Sequence, residues 1–337
     1  MTIPSHAVFL DPVLDERFRQ DGYVVTPLLN PEEVRKLLAI DEAFMPDLAA
    51  DFYTTIFHPD REHRSQVGRA IDSIVQPRVL PLLDGYRKVV SSFISKRPTT
   101  TQGKVGMHQD YTFVDQSRIT SVHVWLPLLD VDEDNSCLWV YPGTHSLVNH
   151  IAAMPGPVNN CHPSPYDAVR TLMEKYCGVP VPMSAGSALF FNERTYHSSG
   201  ENKTLSKRVV VGGAYIPERE PVYVYCPSPD KPGALDVLTV ADFAELQLKP
   251  GQPMPYPYPE GVTKVDAVEY HIEPLEPEQI LPLYHRQPPA TEVVRGCRVG
   301  INDSLPSVGT SASEPNMSKL VGLLRGAQRA LFSTARP

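Results

Sequence analysis

The 337 residues include 39 acidic and 31 basic side chains, for a formal net charge of −8, with 42% hydrophobic and 21% charged residues; this excludes wholesale disorder and suits one large or two ordinary domains. An acidic chain without a Lys/Arg block argues against nucleic acid as a partner, and the longest apolar run, near Val209 to Ile216, falls far short of the ~18 residues of a membrane span. The five cysteines form no CxxC pair, which disfavours a disulfide framework or zinc ribbon and makes a reducing, cytoplasmic setting the expectation. The opening MTIPSHAVFLDPVLDERF has no basic segment before an apolar block, so no secretory signal is expected. With 35 prolines against 20 glycines, a bundle of long helices is disfavoured and short strands, edges and ordered loops are favoured.

In chain order, a short helix is predicted over Asp15 to Gly22, then a strand-like piece, Tyr23 to Leu29. Asn30-Pro31-Glu32-Glu33 starts a second helix, with Asn30 as cap, Pro31 at the first helical position and Glu33 completing a capping box. Another helix is predicted over Pro77 to Lys96, where Val79, Leu80, Leu83, Tyr86, Val89 and Phe93 recur at helical spacing. From Thr99 short β-rich runs alternate with turn residues: 103–107, 119–129, 136–141, 187–191, 208–216 and 222–226. That is the pattern of a sandwich or barrel, interrupted by one helix from Ser164 to Tyr176. Fifteen of the 35 prolines fall between Pro217 and Pro289, which reads as an ordered lid-like loop around a short helix near Val240 to Leu248. A linker over 287–314 and an amphipathic helix near Met317 to Leu331 follow; that helix suits docking on the body or on a second copy in a homo-oligomer. The division expected is a single domain over 1–289, helical over 1–98, β-rich over 99–226 and Pro-rich over 227–289, with the linker and helix over 290–337.

The chemistry centres on Met107-His108-Gln109-Asp110. In an extended strand residues i and i+2 share a face, so His108 and Asp110 can hold one ion together. A second imidazole from a distant strand, with His197 the candidate, would complete a 2-His-1-carboxylate facial triad with positions left open for a co-substrate and dioxygen, as in non-haem Fe(II) sites. His58-Pro59-Asp60 repeats the HxD spacing, but within the charged stretch HPDREHR it reads as a solvated loop. Arg208 opens the apolar run RVVVGGAYI and needs a partner there; its planar fork suits a carboxylate.

These residues stand in longer blocks: Phe18-Arg-Gln-Asp-Gly-Tyr-Val-Val with Pro31-Glu-Glu-Val, His108-Gln-Asp110, Asn135-Ser-Cys-Leu-Trp-Val-Tyr-Pro-Gly-Thr-His145, and His197-Ser-Ser-Gly-Glu-Asn-Lys203 followed by Arg208. Over roughly residues 14 to 218 the chain resembles the phytanoyl-CoA dioxygenase family of Fe(II)/2-oxoglutarate-dependent oxygenases. The resemblance implies a mainly β fold with α additions, a double-stranded β-helix (jelly-roll, cupin-like) core with N-terminal helices packed on it. It implies that His108, Asp110 and His197 are the iron ligands, that Arg208 grips the distal carboxylate of 2-oxoglutarate with help from Ser199, and that Gln109 and Trp125 line the co-substrate pocket. O2 would be the oxidant and succinate and CO2 the co-products. Related halogenases have Gly or Ala where this chain has Asp110, so hydroxylation, or further oxidation such as desaturation or ring formation, is expected here.

Other residues carry blander expectations: His145 a turn or packing residue, His123 core or beside the ligands, Tyr111 and Phe113 pocket or core aromatics, and Cys137 a small buried residue. Lys104 is expected on a strand surface, with a contact to co-substrate or substrate the sharper alternative. No basic cluster suited to coenzyme A is evident in the β-rich region, so a free small molecule, of secondary-metabolite or amino-acid type, is the expected substrate. The alternatives are an acyl-CoA 2-hydroxylase and a non-catalytic jelly-roll binding protein.

Overall fold

Asp11 stands in extended conformation before Pro12 and accepts from the amides of Val13 and Leu14, so α1 (Pro12–Asp21) starts three residues ahead of the predicted Asp15. Gly22 ends it at φ +83°, and a Cβ there would lie 2.4 Å from His145 Nδ1 and 2.6 Å from Thr195 Oγ1. Two demands on one position therefore call for glycine. The computed structural model describes residues 6–44, 50–99, 101–154, 164–243, 246 and 254–284. The predicted linker and C-terminal helix, and most of the predicted helix near Val240 to Leu248, lie outside these residues.

After β1 (Tyr23–Pro27), α2 (Pro31–Phe44) is capped as its sequence dictates: Asn30 Oδ1 accepts from the amides of Glu32 and Glu33, and Glu33 returns a carboxylate to the Asn30 amide at 2.9 Å. β2 (Phe52–Thr54) leads to α3 (Arg61–Val79), whose N-cap is Asp60. His58-Pro59-Asp60 is thus the start of a helix rather than only a loop, with the His58 ring stacked 3.8 Å from that of His63.

The helix predicted over Pro77 to Lys96 does not form. α3 stops at Val79, a 3-10 turn covers Leu80–Leu82, Gly85 turns the chain at φ +69°, and β3 (Tyr86–Lys96) follows. β3 is covered on both faces, so its apolar residues do not alternate and their spacing matched a helix by coincidence. The remaining strands are β4 (Val105–His108), β5 (Val122–Pro127), β6 (Leu138–Val140), β7 (Val179–Val181), β8 (Ser187–Asn192), β9 (His197–Ser199), β10 (Arg208–Pro217), β11 (Tyr223–Pro227), β12 (Ala234–Val240) and β13 (Val262–Glu269). Between β6 and β7 lie α4 (Thr144–Leu147) and α5 (Arg170–Tyr176), the latter preceded by a 3-10 turn at Asp167–Val169 and matching the helix expected there; α6 (Leu281–Tyr284) ends the described chain.

Six strands in the order β1-β8-β5-β10-β3-β2 form one antiparallel sheet and β4-β9-β6-β7 a second. Their facing residues interlock in one cluster, Trp125, Leu189, Phe191 and Val210 against Leu138, Val140 and Val181. This is the expected mainly β jelly-roll. On the outer face of the larger sheet α2 and α3 pack Leu37, Val67, Ile71 and Val75 against Phe93, Val209 and Val211. Each such fully buried aliphatic contributes about 1.5–3 kcal/mol, and Ile71→Ala would cost roughly 2–5 kcal/mol. The N-terminal third, expected as helical, also supplies three of the six strands, β1, β2 and β3.

The Pro-rich stretch expected as a lid-like loop holds β12 and β13, which join β11, the strand expected over 222–226, in a third sheet. Its prolines stand at strand ends and turns (Pro217, Pro221, Pro227, Pro232), while β12 itself, ALDVLTV, has none. Val224, Leu238 and Val240 from this sheet pack with Phe113, Ala214 and Phe243, placing it at one end of the barrel. No helix among the described residues is long and apolar enough to cross a membrane.

Candidate active site

β4 and β9 bring His108 and His197 directly opposite each other, and Asp110 follows two residues after His108. One donor atom from each of these three residues lies within 4.8 Å of the others, the only such group of three among the described residues. His108 Nε2 is 3.6 Å from Asp110 Oδ1 and His197 Nε2 is 3.7 Å from Asp110 Oδ2. The outer nitrogen of each ring faces a backbone carbonyl: His108 Nδ1 donates to Gly106 O at 2.8 Å and His197 Nδ1 to Thr195 O at 3.1 Å. Those bonds select the tautomer whose Nε2 lone pair points at the shared centre, the arrangement of a metal-ligating histidine. Burial, with His108 next, lowers the His197 pKa to about 4, which keeps the ring neutral and able to ligate. Burial alone would raise the Asp110 carboxyl, but His197, His123 and His108 hold it well below the ordinary carboxylate range. Two imidazoles and one carboxylate converging on a point are a fitting donor set for a divalent transition metal.

Arg208 heads β10 and is 1% exposed; its Nε and Nη1 are buried without a partner, and its guanidinium lies 5.5 Å from the Trp125 ring. Across the sheet its register partner is Lys96, the last residue of β3, which is fully buried. Lys96 Nζ donates to Ser199 Oγ at 2.7 Å, Ser136 Oγ at 2.8 Å and Gly200 O at 2.5 Å. Burial lowers the Lys96 pKa to about 6, with Arg208 pushing the same way, and burial lowers that of Arg208 as well. Neither cation forms an ion pair among the described residues. The stranded guanidinium donors of Arg208 are costly unless an anion occupies the space beside them.

The remaining expected residues fall on the same cavity, of about 220 Å3. Gln109 lines it and donates to His150 O at 3.0 Å, and Trp125 and Ser199 line it beside Arg208. Tyr111 and Phe113 are on its wall. Lys104 is exposed; the buried lysine is Lys96, which the helix reading of its segment concealed. An apolar segment ending in lysine one strand away from Arg208 was the signal for it. His123 is buried against Asp110, Nδ1 to Oδ2 at 2.8 Å, with its ring stacked 5.9 Å from that of Phe113. Glu193, which sequence reasoning passed over, is buried close behind: it accepts from the Phe113 amide at 3.2 Å, and burial raises its pKa to about 8, so it is protonated at neutral pH. Cys137 is buried and burial pushes its thiol up to about 11, consistent with a packing role. His145 is buried in α4 and bonds Arg19 O at 3.0 Å, which ties the YPGTH block to the Gly22 turn of the FRQDGYVV block.

The sequence profile of the phytanoyl-CoA dioxygenase (PhyH) family matches residues 18–210. A phytanoyl-CoA dioxygenase of Arabidopsis thaliana is 32% identical over 129 residues, 37% of this chain and 43% of that protein. Phytanoyl-CoA dioxygenase 1 of Oryza sativa subsp. japonica is 31% identical over 117 residues, 34% of this chain and 39% of that protein. The chain thus spans about two fifths of the length of the curated relatives it matches. Among solved structures, the non-heme alpha ketoglutarate dependent carbocyclase SnoK from nogalamycin biosynthesis is similar with a TM-score of 0.47 and 21% identity, over 76% of this chain and 97% of that one. With more than half of its length matched by the family profile, including His108, Asp110, His197 and Arg208, the chain belongs to the phytanoyl-CoA dioxygenase family.

Proposed function

We propose that this chain is an Fe(II)- and 2-oxoglutarate-dependent oxygenase that hydroxylates, or otherwise oxidises, an unactivated C–H bond of a small organic molecule, within a domain spanning residues 1–289. The observation that carries the reading is that Arg208, buried with two guanidinium nitrogens unpartnered, lines the same cavity as the convergent triad, with buried Lys96 opposite it across the sheet. His108, Asp110 and His197 would hold the ion. The Arg208 fork would take the distal carboxylate of 2-oxoglutarate in bidentate fashion, with the Lys96–Ser199 pair beside it and Trp125 fixing the guanidinium from one face. Bound there, the ion and co-substrate supply dioxygen activation coupled to oxidative decarboxylation, with succinate and CO2 as co-products.

The chain's own part is positional. His197, held neutral, presents its lone pair without having to lose a proton, and Asp110 keeps its charge. A carboxylate at position 110 occupies the place that a halide would need, which supports hydroxylation or related oxidation over halogenation. Anaerobic Fe(II) with 2-oxoglutarate should give the weak visible charge-transfer band of the chelate. His108→Ala should abolish it and His58→Ala leave it intact; a folded, metal-loaded protein without the band would refute the reading.

A further inference from the structure

Two charged side chains other than histidine line the cavity among the described residues, Asp110 and Arg208. On the oxygenase reading both are committed, the first to the ion and the second to the co-substrate. What is left for the substrate is uncharged and mainly apolar, with Gln109, Tyr111, Thr54 and Ser92 its polar members. The inner face of β3 runs from Lys96 through Ile94 and Ser92 to Val90, and that of β10 from Arg208 through Gly212 to Ala214, so the cavity passes from a cationic end to an apolar one. At the apolar end Phe113 and Phe243 meet edge to face at 5.0 Å, and Phe57 also lines the cavity, whereas Phe52 lies opposite Lys96 at the cationic end. The hydroxyls there, Thr54 and Ser92, bond each other at 3.3 Å.

Among the described residues, the surroundings of this end disfavour a polyphosphate. Asp242 directly precedes Phe243, and Asp115 follows Val114 and pairs with Arg118. The nearby arginines have partners: Arg64 donates to His58 O and Pro59 O, Arg118 pairs with Asp115 and Glu220, and Arg170 pairs with Asp167 and donates to Met107 O. Lys104, beside Val105, is exposed, but one lysine is not the cluster of cations that several phosphate charges require. A buried carboxylate or ammonium without a counter-charge would be strongly disfavoured in these walls, whereas aromatic rings favour a flat apolar partner.

We propose that the substrate is an uncharged, ring-bearing hydrophobic molecule held against Phe113 and Phe243, and that neither a carboxylate, an amino acid nor a coenzyme A thioester is accepted; this rests on the oxygenase reading and narrows it. The test is isothermal titration of three probes, 2-naphthol, 2-naphthoate and octanoyl coenzyme A, into full-length protein held anaerobically with Fe(II) and 2-oxoglutarate. The expected result is that 2-naphthol binds at least tenfold more tightly than the other two, and that Phe113→Ala and Phe243→Ala each weaken it roughly tenfold while the visible band of the chelate persists. Equal or tighter binding of 2-naphthoate or octanoyl coenzyme A overturns the proposal. So does 2-naphthol binding that neither variant weakens, or no binding of any probe while the band forms. Failure of the band itself refutes the oxygenase reading instead, and the same titrations into metal-free protein then decide the character of the pocket separately.

Discussion

Lys96 and Arg208 stand directly opposite each other across β3 and β10, both buried, with the Lys96 ammonium spent on two hydroxyls and a carbonyl while two guanidinium nitrogens go unused. The folded protein holds the Lys96 pKa at about 6, below the 10.5 of a free lysine. Between those values the unfolded chain binds more protons than the folded one. Stability therefore rises with pH through that window, and the contribution is lost as pH falls towards 6. A dicarboxylate arriving beside Lys96 favours the charged form, so its binding takes up a proton near neutrality. The 2-oxoglutarate dissociation constant should tighten from pH 8 to pH 6, by at most about tenfold per unit for one linked proton. Lys96→Met should flatten that dependence and weaken binding while raising thermal stability most at pH 6 and below, where the buried ammonium it replaces is charged. Titration calorimetry at several pH values checks the first outcome and thermal melts the second.

His123 holds the second carboxylate oxygen of Asp110 at 2.8 Å and so fixes how that carboxylate faces the two ligating rings. Loss of such an orienting partner typically costs about 10–100-fold in metal affinity. His123→Ala should show that loss in a Co(II) titration with the fold retained by circular dichroism, and His123→Asn, which keeps a donor, should recover part of it. Unchanged affinity in His123→Ala would mean that the contact does not orient the ligand.

Glu193 gives a pH signature of the opposite sign to Lys96. Its pKa is raised to about 8 by burial, so the folded state holds a proton that the unfolded chain releases near 4.5. This contribution to stability is full below 4.5 and is lost as pH rises through about 8. Glu193→Gln keeps an acceptor for the Phe113 amide without the ionisable proton. Its melting temperature should fall less than that of the parent protein between pH 5 and pH 9.

Lys207, next to Arg208, reaches back to Asp41 of α2 with Nζ 2.5 Å from Oδ2. Asp41 is almost fully buried, and burial raises its pKa even against this partner. Lys207→Ala would strand the carboxylate. The cost should be roughly 2–3 kcal/mol, less than for a fully enclosed pair because Lys207 keeps some contact with water. Combining it with Asp41→Asn should restore most of the loss, as measured by chemical denaturation.

The residues most legible in the sequence are those whose chemistry conflicts with their local setting. Arg208 stands out as a charge heading an apolar strand, and His108 with Asp110 as two ligands in period-two register. The Asn30 capping box is local and is found as written. Lys96 escaped because β3 is sandwiched between helices and the facing sheet, so burial on both sides erased the alternation that marks a strand. Of the third sheet only β11 was legible, as the run 222–226; β12 and β13, themselves free of proline, escaped because prolines crowd the segments around them. His123 and Glu193 matter through contacts made across the barrel, between residues distant in sequence, which no local pattern encodes.

The entwining of the N-terminal third with the barrel limits how the protein can be divided. A fragment beginning at Thr99 would keep every triad residue yet lose β3 from beside β10, and with it Lys96. It would also lose β1, which pairs with β8, and leave Val209 and Val211 without the helices that cover them. The chemistry-bearing half is therefore not a portable module, and grafting or domain-swapping strategies have to carry residues from Val8 onward as one inseparable unit.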